Sequence, residues 1–137
     1  MTIELSSKQF RRLLDMVYIG NWILNSTRGN DRITEFDEVE SLLFSLCEKY
    51  GMQTLCERAK GAAIPSKAFA EGGIHEAIMD YEDTVFFEIL AEELAHRDIN
   101  NEGVDVSDTQ ELAGRINAYI SEFERNGISN ILVDPDL

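Results

Sequence analysis

Apolar residues recur along this chain at three- and four-residue intervals, the spacing that gathers them on one face of an α-helix. The first stripe is Phe10, Leu13, Leu14, Val17, Asn21 and Leu24. It is preceded by Ser6 and Gln9, a capping-box pair whose side chains can each satisfy the other's backbone N–H. This predicts a helix over residues 7–26. Ile19, Trp22 and Ile23 fall on the opposite side, so the helix is apolar nearly all round and should be central or at an interface. A second helix is predicted from Thr34 as its cap. Glu35, Asp37 and Glu38 sit in its first turn, where carboxylates suit the positive end of the helix dipole. Its expected core stripe is Phe36, Val39, Leu43, Leu46, Cys47 and Tyr50, with Gly51 as a left-handed C-cap.

From residue 52 to 73 the periodicity weakens. A short helix over 54–60 and a connector through Gly61-Ala62-Ala63-Ile64-Pro65 to Gly72-Gly73 are the expectation. Residues 74–99 carry the longest helical pattern, but its apolar face changes. Ile74, Ile78, Tyr81, Val85 and Ile89 line one side, whereas Phe86, Phe87, Leu90 and Leu94 line nearly the opposite one. The helix either kinks near Thr84 or is buried on two sides in succession. After a turn at 100–103, Ser107 and Gln110 form another capping box ahead of Leu112, Ile116, Tyr119, Ile120 and Phe123, and Asn126-Gly127 stops that helix. The apolar run at 131–133 reads as a short strand or an extended strap. The fold class expected is therefore all-α: one acidic helical domain over residues 1–137, a bundle of four to five helices with this tail as its only non-helical element.

Composition narrows the partners. With 137 residues, 44% of them hydrophobic, the chain can bury a core without disulfides or a structural metal. Twelve basic against 26 acidic residues give a net charge of −14, which repels phosphates and anionic lipid, so neither direct nucleic-acid binding nor a membrane is expected. The excess is uneven: residues 1–50 carry six basic and eight acidic side chains, residues 51–137 six and eighteen. The absence of a long apolar run and of a basic-then-apolar leader points to the cytoplasm. Cys47 and Cys56, nine positions apart, write neither a zinc framework nor a redox motif and read as reduced thiols.

Among groups that could carry chemistry, Glu88, Glu92, Glu93 and His96 are the closest to a metal-ligand pattern. Glu92 and His96 lie one turn apart, and Glu93 with His96 forms a Glu-x-x-His pair. A di-iron bundle needs a second such pair, and the other histidine, His75, has Gly72 three positions before it. An ordinary surface pair is the favoured reading; no cofactor and no catalytic residue is assigned. Lys8, Arg11, Arg12, Arg28 and Arg32 could hold a phosphate or an acidic peptide, but are expected to answer the chain's own acidic part or face solvent. Asn21, in the apolar stripe, is expected to fix packing register. Ile19, Trp22 and Ile23 are the candidate partner-binding residues, because aromatic anchors in apolar patches are enriched at interfaces.

These features favour a non-enzymatic acidic helical module that binds a protein partner or a second copy of itself. Two alternatives stand beside it. One is an inhibitor that imitates nucleic acid with Asp80, Glu82, Asp83, Glu88, Glu92 and Glu93; the other is a metal-binding protein using the Glu/His cluster.

Overall fold

In the computed structural model, which describes residues 2–103 and 109–133, the chain is predominantly helical with one small two-stranded sheet. The elements are α1 (Ser7–Asn25), α2 (Thr34–Phe44), β1 (Cys56–Ala59), β2 (Ala62–Pro65), the single turn α3 (Lys67–Phe69), α4 (His75–Glu102) and α5 (Thr109–Asn126). They gather into two compact units, Met1–Met79 and Asp80–Leu137.

The first unit is built on α1 and α2. Helix α1 starts where the capping box requires: the Gln9 amide N–H donates to Ser6 Oγ at 3.3 Å, and the Ser6 N–H to Gln9 Oε1 at 2.9 Å. Its buried residues are Phe10, Leu14, Asp15, Asn21 and Asn25, so the inward stripe turns from apolar to polar along the helix. Helix α2 begins at Thr34 itself, with Ile33 as the flanking residue, and ends at Phe44. The helix expected to run to Tyr50 therefore stops six residues early; a tighter turn at Glu48–Tyr50 follows, and it is this turn that Gly51 closes in the left-handed region at φ 69°.

The inward face of α2 departs from the sequence expectation. Phe44 and Cys47 are buried and Asp37 and Glu40 half-buried, while Phe36, Val39 and Leu46 are exposed. The helix is thus rotated by about one residue from its most apolar stripe. The reason lies in polar contacts with α1. The Asn25 amide donates to Asn21 Oδ1 at 2.7 Å and to the Ile33 carbonyl at 3.0 Å, and its Oδ1 accepts from the Ile33 N–H at 2.8 Å. Asn21 in turn donates to Asp37 at 3.0 Å, and Arg32 grips the same carboxylate with two bonds of 2.6 Å. A carboxylate so held can face inward, and it takes its face of α2 with it.

Residues 54–60 are not helical, and this corrects the all-helical expectation. A tight turn at Gln53–Leu55 leads into an antiparallel hairpin pairing Cys56 with Pro65 and Ala59 with Ala62. Its two-residue loop, Lys60-Gly61, has both residues at positive φ (50° and 84°), the backbone whose twist matches a hairpin. Ser41 Oγ accepts from the Ala63 N–H at 3.1 Å and ties the hairpin to α2. Buried Ser66 donates its hydroxyl to the Thr54 carbonyl at 2.7 Å and caps α3 by accepting from the Phe69 N–H. The core of this unit is Phe10, Leu14, Phe44, Cys47, Ala63 and Phe69. Phe10 stacks on Tyr50 with centroids 4.0 Å apart, and Phe69 meets Phe44 edge-on at 4.9 Å. Each buried ring removes enough apolar area from water to contribute roughly 2 kcal/mol.

In the second unit α4 and α5 lie antiparallel, as the paired residues 87/123, 98/119 and 102/115 require. Phe87 packs on Phe123 at 5.4 Å, the Tyr119 hydroxyl donates to Asp98, and Arg115 bridges to Glu102 at 2.5 Å and Glu111 at 2.8 Å. Helix α4 is continuous through Thr84, whose hydroxyl donates to the Asp80 carbonyl at 2.9 Å, so its two apolar faces belong to one helix. Ala91, Ala95 and Ile99 are buried, while Tyr81, Phe86 and Ile89 are exposed. The expected Ser107 cap lies outside the described residues. The run at 131–133 forms no strand, and Leu132 and Val133 are exposed. Among the described residues no helix is long and apolar enough to cross a membrane.

Asn25 is the connection on which the α1–α2 pair hangs. Asn25→Ala leaves the Ile33 N–H without its partner and its carbonyl with the Phe36 N–H alone, and is expected to cost about 2 kcal/mol, read as a lower urea midpoint by circular dichroism. Asn25→Asp, which keeps the acceptor but sets a carboxylate oxygen against Asn21 Oδ1 and the Ile33 carbonyl, should cost at least as much at pH 7.5. A loss under about 0.5 kcal/mol for the alanine variant would remove the network from its organising role.

Candidate functional site

Two concavities lie on the α1–α2 pair, one at each end. The first is an apolar groove of about 650 Å³ between the start of α1 and the end of α2. Leu13, Met16, Leu43, Leu46 and Tyr50 form its walls, Ile3 and Leu5 close one end, and Lys8 and Arg12 are its charged lining residues. Met16 and Ile3 are more than 60% exposed, which places large aliphatic side chains in water. Asp15 accepts from both Arg11 and Arg12, so one carboxylate answers two guanidinium groups and the rim stays positive. Arg11 also lies 4.7 Å over the Phe69 ring, which holds it in the first unit's interior.

The second concavity is a polar cleft of about 340 Å³ where the end of α1 meets the start of α2 and the hairpin. Tyr18, Asn21, Trp22 and Asn25 line it from α1, Arg32 and Glu40 from the loop and α2, and Ile64, Pro65 and Ala70 supply an apolar wall. His75, the first residue of α4, stands beside it: its Nε2 is 3.4 Å from the Tyr18 hydroxyl, and its ring lies edge-on to Trp22 at 6.1 Å. Burial, ahead of every other cause, pushes the Glu40 carboxyl above the usual carboxylate range. The Asp37 charge adds to that, and Asn21 and Arg32 oppose it. The Arg32 hydrogen bonds, helped by Asn21, instead hold Asp37 below its usual range. Burial also raises the Tyr18 hydroxyl, with Glu40 adding to the effect. Two neighbouring carboxyls are thus driven apart by their surroundings, a condition found more often at functional sites than elsewhere.

The residues singled out from sequence land as follows. Trp22 and Ile19 are half-buried and Ile23 is exposed, so these three do not form one open patch; Trp22 belongs to the cleft. Glu88, Glu92 and Glu93 are exposed on α4, and His96 Nε2 is 3.9 Å from Glu92 Oε1, an ordinary one-turn pair. Among the described residues no three His, Cys, Asp or Glu side chains converge as metal ligands. The basic residues separate: Arg11 and Arg12 pair with Asp15, Arg28 with Asp31, and Arg32 with Asp37, all local partners in the first unit. Cys47 is buried, and desolvation raises its thiol to about 11, which removes it as a nucleophile at neutral pH. Sequence reasoning passed over Glu40, Tyr18 and His75. The one available signal was that Asp37, Glu40, Phe44 and Cys47 share a helical stripe with Asn21 opposite, which pairs buried acids with a buried amide.

Glu40 gives this site a pH signature. An acid whose folded pKa is raised destabilises the fold once ionised, so the protein loses stability as pH rises from the ordinary carboxylate value of about 4.3 through the raised one. Glu40→Gln is expected to raise the urea midpoint at pH 7.5 and to leave it unchanged at pH 3.5. A lower midpoint at pH 7.5 would show that the carboxylate is a structural anchor instead. The chain matches no protein-family model, no curated protein and no solved structure, so its function is argued from its own side chains.

Proposed function

We propose that this protein is a non-enzymatic interaction module whose α1–α2 groove takes an amphipathic helix of a protein partner, with acidic side chains along that helix's edges. The observation that carries this is the groove itself: a concave aliphatic surface with Met16 and Ile3 largely in water, and with Lys8 and Arg12 as its charged lining residues. An apolar groove favours the apolar stripe of a helix through buried area, and basic edges favour carboxylates at the flanking positions. Leu13, Met16 and Leu46 would fill the spaces between successive side chains of such a helix. Thioether and aliphatic groups adapt to this role well.

The test places a photoreactive phenylalanine analogue at position 16 in the cells that make the protein and sequences the cross-linked peptide. An apolar helical segment with acidic flanks is expected. If that segment is this chain's own, the partner is a second copy. The double variant Met16→Glu, Leu46→Glu should weaken the complex by about 100-fold while its urea midpoint stays near that of the wild type. An unchanged affinity, or cross-links confined to basic segments, would overturn the reading.

A second reading, imitation of nucleic acid, has its own observation. Residues 80–137 carry three basic against fifteen acidic side chains, a net of −12, while residues 1–79 carry nine against eleven. Asp80, Glu82, Asp83, Glu88, Glu92 and Glu93 are all exposed on α4. A complex formed through them would weaken by roughly tenfold or more between 50 and 300 mM salt and yield to duplex DNA. A groove complex should change by less than about threefold over the same range.

A further inference from the structure

We propose that the polar cleft at the other end of the α1–α2 pair is a binding site for a small primary ammonium group on a short apolar body, with Glu40 as its counter-charge. This goes beyond the groove and does not depend on it.

Charge comes first. Glu40 and Arg32 are the charged residues that line the cleft, and Arg32 is paired with Asp37 beside it. Arg32 is committed to Asp37 by two bonds of 2.6 Å, a forked pairing that uses both carboxylate oxygens. Among the described residues no cation forms an ion pair with Glu40; the nearby Asn21 amide favours its ionised form. The cleft is therefore one positive charge short, at a half-buried carboxylate that water solvates incompletely. An ammonium placed there would answer the charge and donate as well.

Shape and surface chemistry agree. A volume of about 340 Å³ suits a molecule of modest size rather than a peptide helix. The Trp22 and Tyr18 rings offer π-faces, which attract a cation, and Ile64, Pro65 and Ala70 offer an apolar wall for a carbon skeleton. The floor is held in place beforehand. Asn21 and Asn25 are buried and hydrogen-bonded to each other, to Ile33 and to Asp37, so little ordering would be needed on binding. The raised Glu40 carboxyl is consistent with a group whose natural counter-ion is a ligand. An anion would meet Glu40 with Arg32 already neutralised by Asp37, which disfavours it.

Trp22 is the chain's single tryptophan, so its fluorescence reports on this cleft directly. The full chain is titrated at pH 7.5 with 3-methylbutylammonium, 3-methylbutanol and 3-methylbutanoate, which share one skeleton and differ in charge. The ammonium is expected to saturate the Trp22 signal and to bind at least tenfold more tightly than the alcohol, with the carboxylate weakest. Glu40→Gln should erase that preference without lowering the urea midpoint. A parallel titration with Nα-acetyl-lysinamide separates the two sources of such a group. Binding equal to the alkylammonium points to a lysyl side chain, and weaker binding to a free amine. Equal response to ammonium and alcohol, preference for the carboxylate, an unchanged preference in Glu40→Gln, or no saturable signal together with unmoved Asn21 and Asn25 amide resonances would each overturn the proposal. Because none of these readouts involves Met16 or Leu46, they are independent of whether the groove binds a helix.

Discussion

Everything else in the first unit depends on how Asn25 holds Ile33. This buried amide bonds to both polar backbone groups of the residue that opens α2, and through Asn21 it reaches the Asp37 carboxylate that Arg32 also grips. In an apolar environment each of these groups would cost more if left unmade than its bond contributes when made, so the network has one satisfactory geometry. An aliphatic seam would tolerate several rotations of α2 against α1. This polar one selects a single register, at the cost of turning Phe36, Val39 and Leu42 toward solvent.

That register has a consequence at both ends of the helix pair. Toward the start of α1 it sets Leu43, Leu46 and Tyr50 opposite Leu13 and Met16 and leaves a groove between them. Toward the end of α1 it draws Glu40 inward beside Tyr18 and Trp22, where the lining cation, Arg32, is committed to Asp37. The groove and the cleft are therefore not separate inventions on the surface. Both are by-products of turning Asp37 and Glu40 inward, half-buried, in place of Phe36 and Val39.

The sequence was most legible where local chemistry decides. The Ser6/Gln9 capping box stands where periodicity and cap chemistry put it, and α1 ends within a residue of the expected position; Gly51 is left-handed, but it closes the turn at Glu48–Tyr50 and not α2, which ends at Phe44. It was least legible where contacts between distant residues decide. The stripe read for α2 was the more apolar one, and only the amide of Asn21, thirteen or more residues earlier, makes the acidic stripe the buried one. The hairpin at 56–65 was missed because Lys60-Gly61 is a weaker turn signal than Asn-Gly, and alanine-rich strands show little β-preference. In α4 the sequence left open a kink or a two-sided helix. The helix is continuous, and its small residues Ala91 and Ala95 are the buried ones, a choice that an apolar-size criterion cannot make.

Charge follows the same division of labour. In residues 1–79 the ion pairs all join a basic side chain to a carboxylate within five positions, and nine basic against eleven acidic side chains leave that part of the chain close to neutral. Residues 80–137 have three basic side chains for fifteen acidic ones, and pairing cannot neutralise them. A soluble fold of this size does not require such segregation, since an even distribution gives the same net charge with less local repulsion. Segregation leaves the groove and the cleft on a near-neutral part of the chain and gathers a net charge of −12 in residues 80–137. The α1–α2 pair that carries both concavities has its geometry fixed by four polar side chains rather than by its most hydrophobic ones.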